Sequence, residues 1–365
     1  MAHHSALTIL PRFLWKPIFD YLPAQSLKKL SNMHTFANLF TDAYCKELIL
    51  SNKTGIIKVI RTSENRIDNF WIHAYNTYVE YNHLTNLMSS IDQKTKKLRY
   101  ITIFIQPGKY YNYYYSDYNS FGTLYVSING SKTGQTDFYG THKYVPYDIS
   151  LKNIVYIDDI RIDVQRQLSK TASIRLSNCI FNKYFVLRSA GYLSISNCIF
   201  NGSNIMSSIQ HLIMSDCVLN CQNEYNAQHL VITKCILNPK TNIMISCNNN
   251  STVDFNQNMI TQTASIMSIT GLDHSTIKIH NNIISEVDAC ISLHKYKSIR
   301  GKNFFLMQNN SITNMPHKYN RIDYAGVINA GKKLNSRIRS KCKFILDESN
   351  TLINCGFTAD ANIKN

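Results

Sequence analysis

Apolar and polar residues alternate in a phrase that recurs four times in the middle of the chain. The copies read IRLSNCIFN (174–182), LSISNCIFN (193–201), LIMSDCVLN (212–220) and LVITKCILN (230–238). Cys179, Cys198, Cys217 and Cys235 mark a common register, 19, 19 and 18 residues apart. Alternation at period two predicts strands with one buried face. The interruption just before each cysteine predicts a bend, so each copy reads as two short strands. A fixed period of about twenty residues signals a solenoid, in which stacked copies bury together a face that no single copy can bury. Leucine-rich repeats share this range of periods, but their fixed leucine pattern and helical return segment are missing. Short strands, polar turns and no helical period predict a parallel β-helix.

The pattern continues downstream with wider spacing. TVDFNQNMIT (252–261), TIKIHNNIIS (276–285) and FFLMQNNSIT (304–313) place Asn258, Asn282 and Asn310 where the cysteines stood, at intervals of 23, 24 and 28 residues. KFILDESNTLIN (343–354) reads as a degenerate last copy. The widening predicts longer loops on one side of the solenoid, the usual place for binding.

Upstream, LRYITIFIQPGKYY (98–111) alternates and then turns at Pro107-Gly108. It resembles the entry strand of pectate-lyase-like right-handed β-helices, and SINGSKTGQTDFYG (127–140) resembles the glycine-rich turn that follows it. YNYYYSDY (111–118) reads as a tyrosine-rich loop packed on the solenoid side.

The first fifty residues follow another period. Leu14, Ile18 and Leu22, then Leu27 and Leu30, then Phe36, Leu39 and Phe40 have helical spacing. Pro11 suits a helix start and Pro23 a stop. Three short helices make a module too small to be comfortable alone. Leu10, Pro11, Ile18, Phe19, Leu22, Leu27, Leu30 and Phe36 resemble an F-box in order and spacing. Pro17 departs from that pattern, as does Cys45-Lys46-Glu47-Leu48, where a tryptophan often stands. The resemblance implies docking of these eight residues on a Skp1-type adaptor and, through it, on a cullin ubiquitin ligase. From 53 to 97 the spacing of Ile56, Val59, Ile60, Ile67, Phe70 and Trp71 predicts a helical connector capping the solenoid.

Charge adds a second theme. The 365 residues carry a formal net charge of +16, which favours acidic partners. Arg337, Arg339, Lys341 and Lys343 alternate with smaller residues, so a strand there would present four cations on one face, a candidate acidic-partner surface. Like charges in a row either spread into solvent or meet an anion.

Catalysis and metal binding find little support. Glycan cleavage on a β-helix needs clustered carboxylates or a poised base. Asp158-Asp159 is an adjacent acidic pair in the solenoid, and neighbours on a strand face opposite ways. His211 and His229 share a register and are expected to stack, yet no third ligand recurs with them. Ten cysteines without a C-x-x-C pair read as free thiols, with the ladder serving as small buried hydrophobes. No metal or other cofactor is called for. The start of the chain shows no signal peptide, and no apolar run is long enough to span a bilayer, so the expected location is cytoplasmic or nuclear.

The expected architecture is an F-box over 1–50, a helical connector and cap over 51–97, and a right-handed parallel β-helix over 98–365. This resembles F-box proteins of eukaryotes and large DNA viruses whose recruiting half is a β-helix, and implies a non-catalytic receptor that holds a protein substrate for the ligase. In a virus the ligase would be the host's. The alternatives are a basic β-helix that binds nucleic acid or glycan, and a polysaccharide-active enzyme.

Overall fold

A computed structural model of the chain describes residues 54–59, 66–67, 100–105, 107–112, 125–140, 142–145, 148–164, 171–239, 241–246, 250–262, 265–287, 289–293, 299–314, 328–329, 341–353 and 355. The described residues are mainly β, with long parallel sheets and no helix among them. Two compact units divide between Val155 and Tyr156.

In the first unit, Thr54–Val59, Tyr100–Ile105, Tyr125–Asn129 and Asp148–Lys152 pair in parallel, one after the next. Arg66–Ile67, Gly108–Asn112 and Thr136–Gly140 form a second parallel series. The entry phrase is therefore strand, turn, strand, as its alternation predicts. Thr54–Val59 and Arg66–Ile67 are also strands, which corrects the helical connector at both places. Ile56 and Val59 fit helical spacing, but Gly55-Ile56-Ile57 pairs with Ile101-Thr102-Ile103, and pairing with an existing sheet outweighs a short periodic hint. Ile103, Val126, Ile128, Phe138, Ile149 and Leu151 are buried in this unit. Gly130 is required by close approach, since a Cβ there would lie 2.0 Å from the Asn153 carbonyl oxygen.

In the second unit the described residues form three series of parallel runs. The recurring phrase supplies two of them. Ser173–Ser177 pairs with 192–196, then 211–215, then 229–233, then Thr252–Asn256, Thr276–His280 and Cys342–Leu346 by way of Asn303–Gln308. After each bend a short run follows: Ile180–Phe181, Ile199–Phe200, Val218–Leu219, Ile236–Leu237, Met259–Thr261, Ile283–Ser285, Ser311–Thr313 and Thr351–Ile353, again paired in order. The third run is the first half of long strands such as Asn204–Ser215 and Gln222–Thr233. Where the period widens, this strand splits: Asn242–Ser246 and Thr252–Asn256 flank 247–251.

The bend is made by one residue at positive φ just before each rung: Asn178, Asn197, Asp216, Lys234, Gln257, Asn281 and Asn309, all between 51° and 56°. Asparagine and aspartate accept this conformation better than most residues. The bend turns the next side chain inward, and Cys179, Cys198, Cys217 and Cys235 are each 0–1% exposed. Asn258, Asn282, Asn310 and Asn350 extend the same inner row and are buried as well. Tyr156, Phe181 and Phe200 stack through the core, with ring centroids 5.0 and 4.7 Å apart.

Candidate binding faces

On the middle run the exposure of Ser173–Ser177 and Thr276–His280 alternates, with the second and fourth residues buried. The first, third and fifth residues therefore build outward rows. One such row runs Tyr192, His211, His229, Thr252 on successive coils. His211 and His229 stack as expected, with centroids 4.7 Å apart and ring planes 16° off parallel. The His229 Nδ1 lies 2.8 Å from the Thr252 Oγ1, which orients that ring. Among the described residues no group of three His, Cys, Asp or Glu side chains gathers as for a metal.

On the strand of Thr252, Asp254 gathers a polar network. Its Oδ1 is 2.8 Å from the His280 Nε2 and accepts a 2.8 Å hydrogen bond from the Asn256 Nδ2. The Asn281 amide lies 2.9 Å from the His280 Nδ1, so both ring nitrogens are engaged. Thr233 Oγ1 donates to Asn256 Oδ1 at 2.7 Å. This is a cross-strand clamp between three coils, not a base left open to a substrate.

Asp158 and Asp159 do not sit on a strand; they precede Ile160–Val164 in a bend. The alternation argument for separating them therefore does not apply, and each is held by its own partner. Asp158 meets Lys183 Nζ at 3.3 Å, and Asp159 accepts the Tyr184 N–H at 3.1 Å. The pair fastens the neighbouring turn.

Of the four alternating cations, Arg337 and Arg339 lie outside the described residues. Of the two described cations, Lys341 stands in the turn before the strand Cys342–Leu346 and Lys343 is on it. Pairing of Asn303 with Cys342 and of Phe304 with Lys343 sets Lys302 beside Lys341. Lys343 Nζ is 5.9 Å from the Phe304 ring centre, a cation–π contact at a half-exposed ring. Arg300, Lys302 and Lys343 are exposed, so this end of the sheet is basic.

The inner cysteine row is buried and hydrogen-bonded to the backbone. Each thiol donates to the carbonyl two residues back, as Cys179 does to Ser177 at 3.3 Å and Cys217 to Ser215 at 3.1 Å. Contacts with the thiols of Cys179 and Cys217, and then burial, push Cys198 up. The same kind of contact pushes Cys235 up and draws Cys217 down, while burial opposes a thiolate at any of them.

Cys198, Ile199 and Phe200 are three consecutive apolar residues of one copy. The structure separates them: cysteine in, isoleucine out, phenylalanine in. The outward residue of the short run is apolar on six successive coils, Ile180, Ile199, Val218, Ile236, Met259 and Ile283, with the last three 40%, 44% and 59% exposed. Once the bend has set the phase, alternation requires this, because the centre of three consecutive extended residues faces away from its neighbours. Beside this row Asn182, Asn201, Asn220 and Asn238 form an exposed amide ladder, each donating to the one before, at 2.9 and 2.7 Å for the first two steps.

Leu10, Pro11, Ile18, Phe19, Leu22, Leu27, Leu30 and Phe36 all lie outside the described residues. Among the described residues no helix is long and apolar enough to cross a membrane. Comparison of the chain with protein-family models, with curated proteins and with solved structures found no match.

Proposed function

We propose that this protein is a non-catalytic substrate receptor of a Skp1–cullin–F-box ubiquitin ligase. In this reading residues 1–50 form the F-box. The repeat region is a right-handed parallel β-helix, the hand favoured when parallel strands are joined by crossovers. Leu10, Pro11, Ile18, Phe19 and Leu22 fill an apolar groove of the adaptor, helix against helix. The outward rows of the solenoid hold the target near the ubiquitin-loaded enzyme, in cytoplasm or nucleus. One observation carries the reading: the F-box-like phrases stand ahead of a stack of parallel coils whose outward rows expose apolar, amide and imidazole side chains.

The test is co-purification of the full chain with a Skp1-type adaptor, beside a Leu10→Ala/Ile18→Ala/Phe19→Ala variant whose far-ultraviolet β-sheet signal is intact. Binding that is lost in the variant supports the receptor. A folded wild type that ignores the adaptor refutes it. The basic end around Arg300, Lys302 and Lys343 favours a second reading, a receptor for nucleic acid or an acidic glycan that needs no ligase. That reading requires binding to fall steeply with salt, whereas an apolar adaptor interface is nearly insensitive to it.

A further inference from the structure

The outward apolar row is one side chain wide and spans six coils, about 24 Å at a strand spacing of ~4.8 Å. Bend residues border it on one side and the amide ladder on the other. In a chain of net charge +16, the bend border carries one acid and one base, Asp216 and Lys234, on adjacent coils and both exposed. The remaining bend residues, Asn178, Asn197, Gln257 and Asn281, are uncharged. A polyanion finds a single cation here, with an acid on the adjacent coil, and water gains little from the row.

We propose that this face pairs with the same face of a second copy, with the two rows antiparallel about a two-fold axis between the Val218 and Ile236 rungs. That axis sets Val218 against Ile236, Ile199 against Met259 and Ile180 against Ile283. It also sets Asp216 of one copy opposite Lys234 of the other, and the reverse, so the only two charges of the bend border pair twice. A self-complementary patch of this kind is what an isologous dimer requires. An axis along the row would instead oppose the bend border to the amide ladder and leave both charges facing amides. The row with its borders is about 24 Å by 13 Å in outline, roughly 310 Å² and under half of the roughly 800 Å² per partner that a standard stable interface covers. The dimer is therefore weak and transient, formed only at high protein concentration.

Sedimentation velocity of the full chain from about 1 to 100 μM tests this without any adaptor, so it stands or falls apart from the receptor reading. The wild type shifts from monomer to dimer, and Ile236→Asn/Met259→Gln/Ile283→Asn weakens association at least about 30-fold. Asp216→Lys or Lys234→Asp alone weakens it about tenfold, and the double exchange restores it. Both exchanges suit the bend, because aspartate and lysine already hold φ of 54° and 55° there. A wild type that stays monomeric overturns the proposal, whether or not the row then takes a segment of another protein. So does association that the apolar variant leaves intact, or single exchanges that the double exchange does not rescue.

Discussion

Asn258 gives Asn282 two hydrogen bonds: its backbone N–H and its Nδ2 both donate to Asn282 Oδ1, at 2.9 and 3.0 Å. The link repeats from Asn282 to Asn310, at 3.0 and 2.9 Å, and from Asn310 to Asn350, at 3.0 and 2.9 Å. Each amide also donates to a carbonyl inside the core, as Asn258 does to Ile232 at 3.0 Å. The row is thus a buried polar network with its donors engaged, the condition under which burial of amides is tolerated.

Removing a middle rung strands its neighbours. Asn282→Ala leaves the two donors of Asn258 without an acceptor, and is expected to lower stability by about 3 kcal/mol or more. Asn258→Cys is expected to cost less than Asn258→Ala, because cysteine fills this rung in four earlier coils and its sulfur can still accept the Cys235 N–H, as Cys198 Sγ accepts that of Cys179 at 3.5 Å. Urea unfolding midpoints rank the three variants; equal losses for Asn258→Cys and Asn258→Ala would contradict it.

Gly202 is a packing requirement. A Cβ there would lie 2.1 Å from the Lys183 carbonyl oxygen and 2.6 Å from its Cα, atoms of backbone that cannot swing aside. Gly202→Ala should cost about 2–3 kcal/mol, read as a drop in the thermal midpoint. An unchanged midpoint would mean that the two coils separate freely.

The two adjacent aspartates differ in what they hold. Asp158 faces Lys183 across an exposed gap, and Lys183→Met should change stability by less than about 0.5 kcal/mol. Asp159 accepts a backbone N–H, so Asp159→Ala should cost about 1 kcal/mol, while Asp159→Asn retains the acceptor and loses less. Chemical denaturation of the three variants distinguishes a turn clamp from a pair of interchangeable surface acids.

Burial pushes Cys221 and Cys342 up to about 11, from an ordinary value near 9. A thiol with a raised folded-state value binds its proton more tightly in the native state. Its contribution is therefore full below about pH 9 and is lost as pH rises toward 11. Stability should fall across that window, and Cys221→Ser/Cys342→Ser should flatten the fall. A urea midpoint followed from pH 8 to 11 in both proteins reads the difference.

The repeat was legible in the residues alone. Strict alternation, one bend and one small inward residue recur at near-constant spacing, and a parallel stack is the arrangement that buries such copies jointly. The asparagines at Asn258, Asn282 and Asn310 were placed on the cysteine rung by register alone, and they stand there. Thr54–Val59 was not legible, because six residues carry too few turns or pleats to choose between helix and strand, and its pairing with Tyr100–Ile105 decided it. Nor did spacing reveal that Asp158 and Asp159 lie in a bend, or that the cation strand starts at Cys342.

What the sequence determined by itself was periodicity, because the inward positions of a strand repeat every second residue and the coils repeat in register. What only the tertiary structure decided was which apolar residues remain outside. Ile199 and Phe200 have the same hydrophobic weight on paper, and Phe200 is wholly buried while Ile199 faces out. The reason is the positive-φ bend at Asn197, which sets the phase of every side chain after it. A local backbone angle, repeated coil after coil, thereby lays an apolar row along the surface.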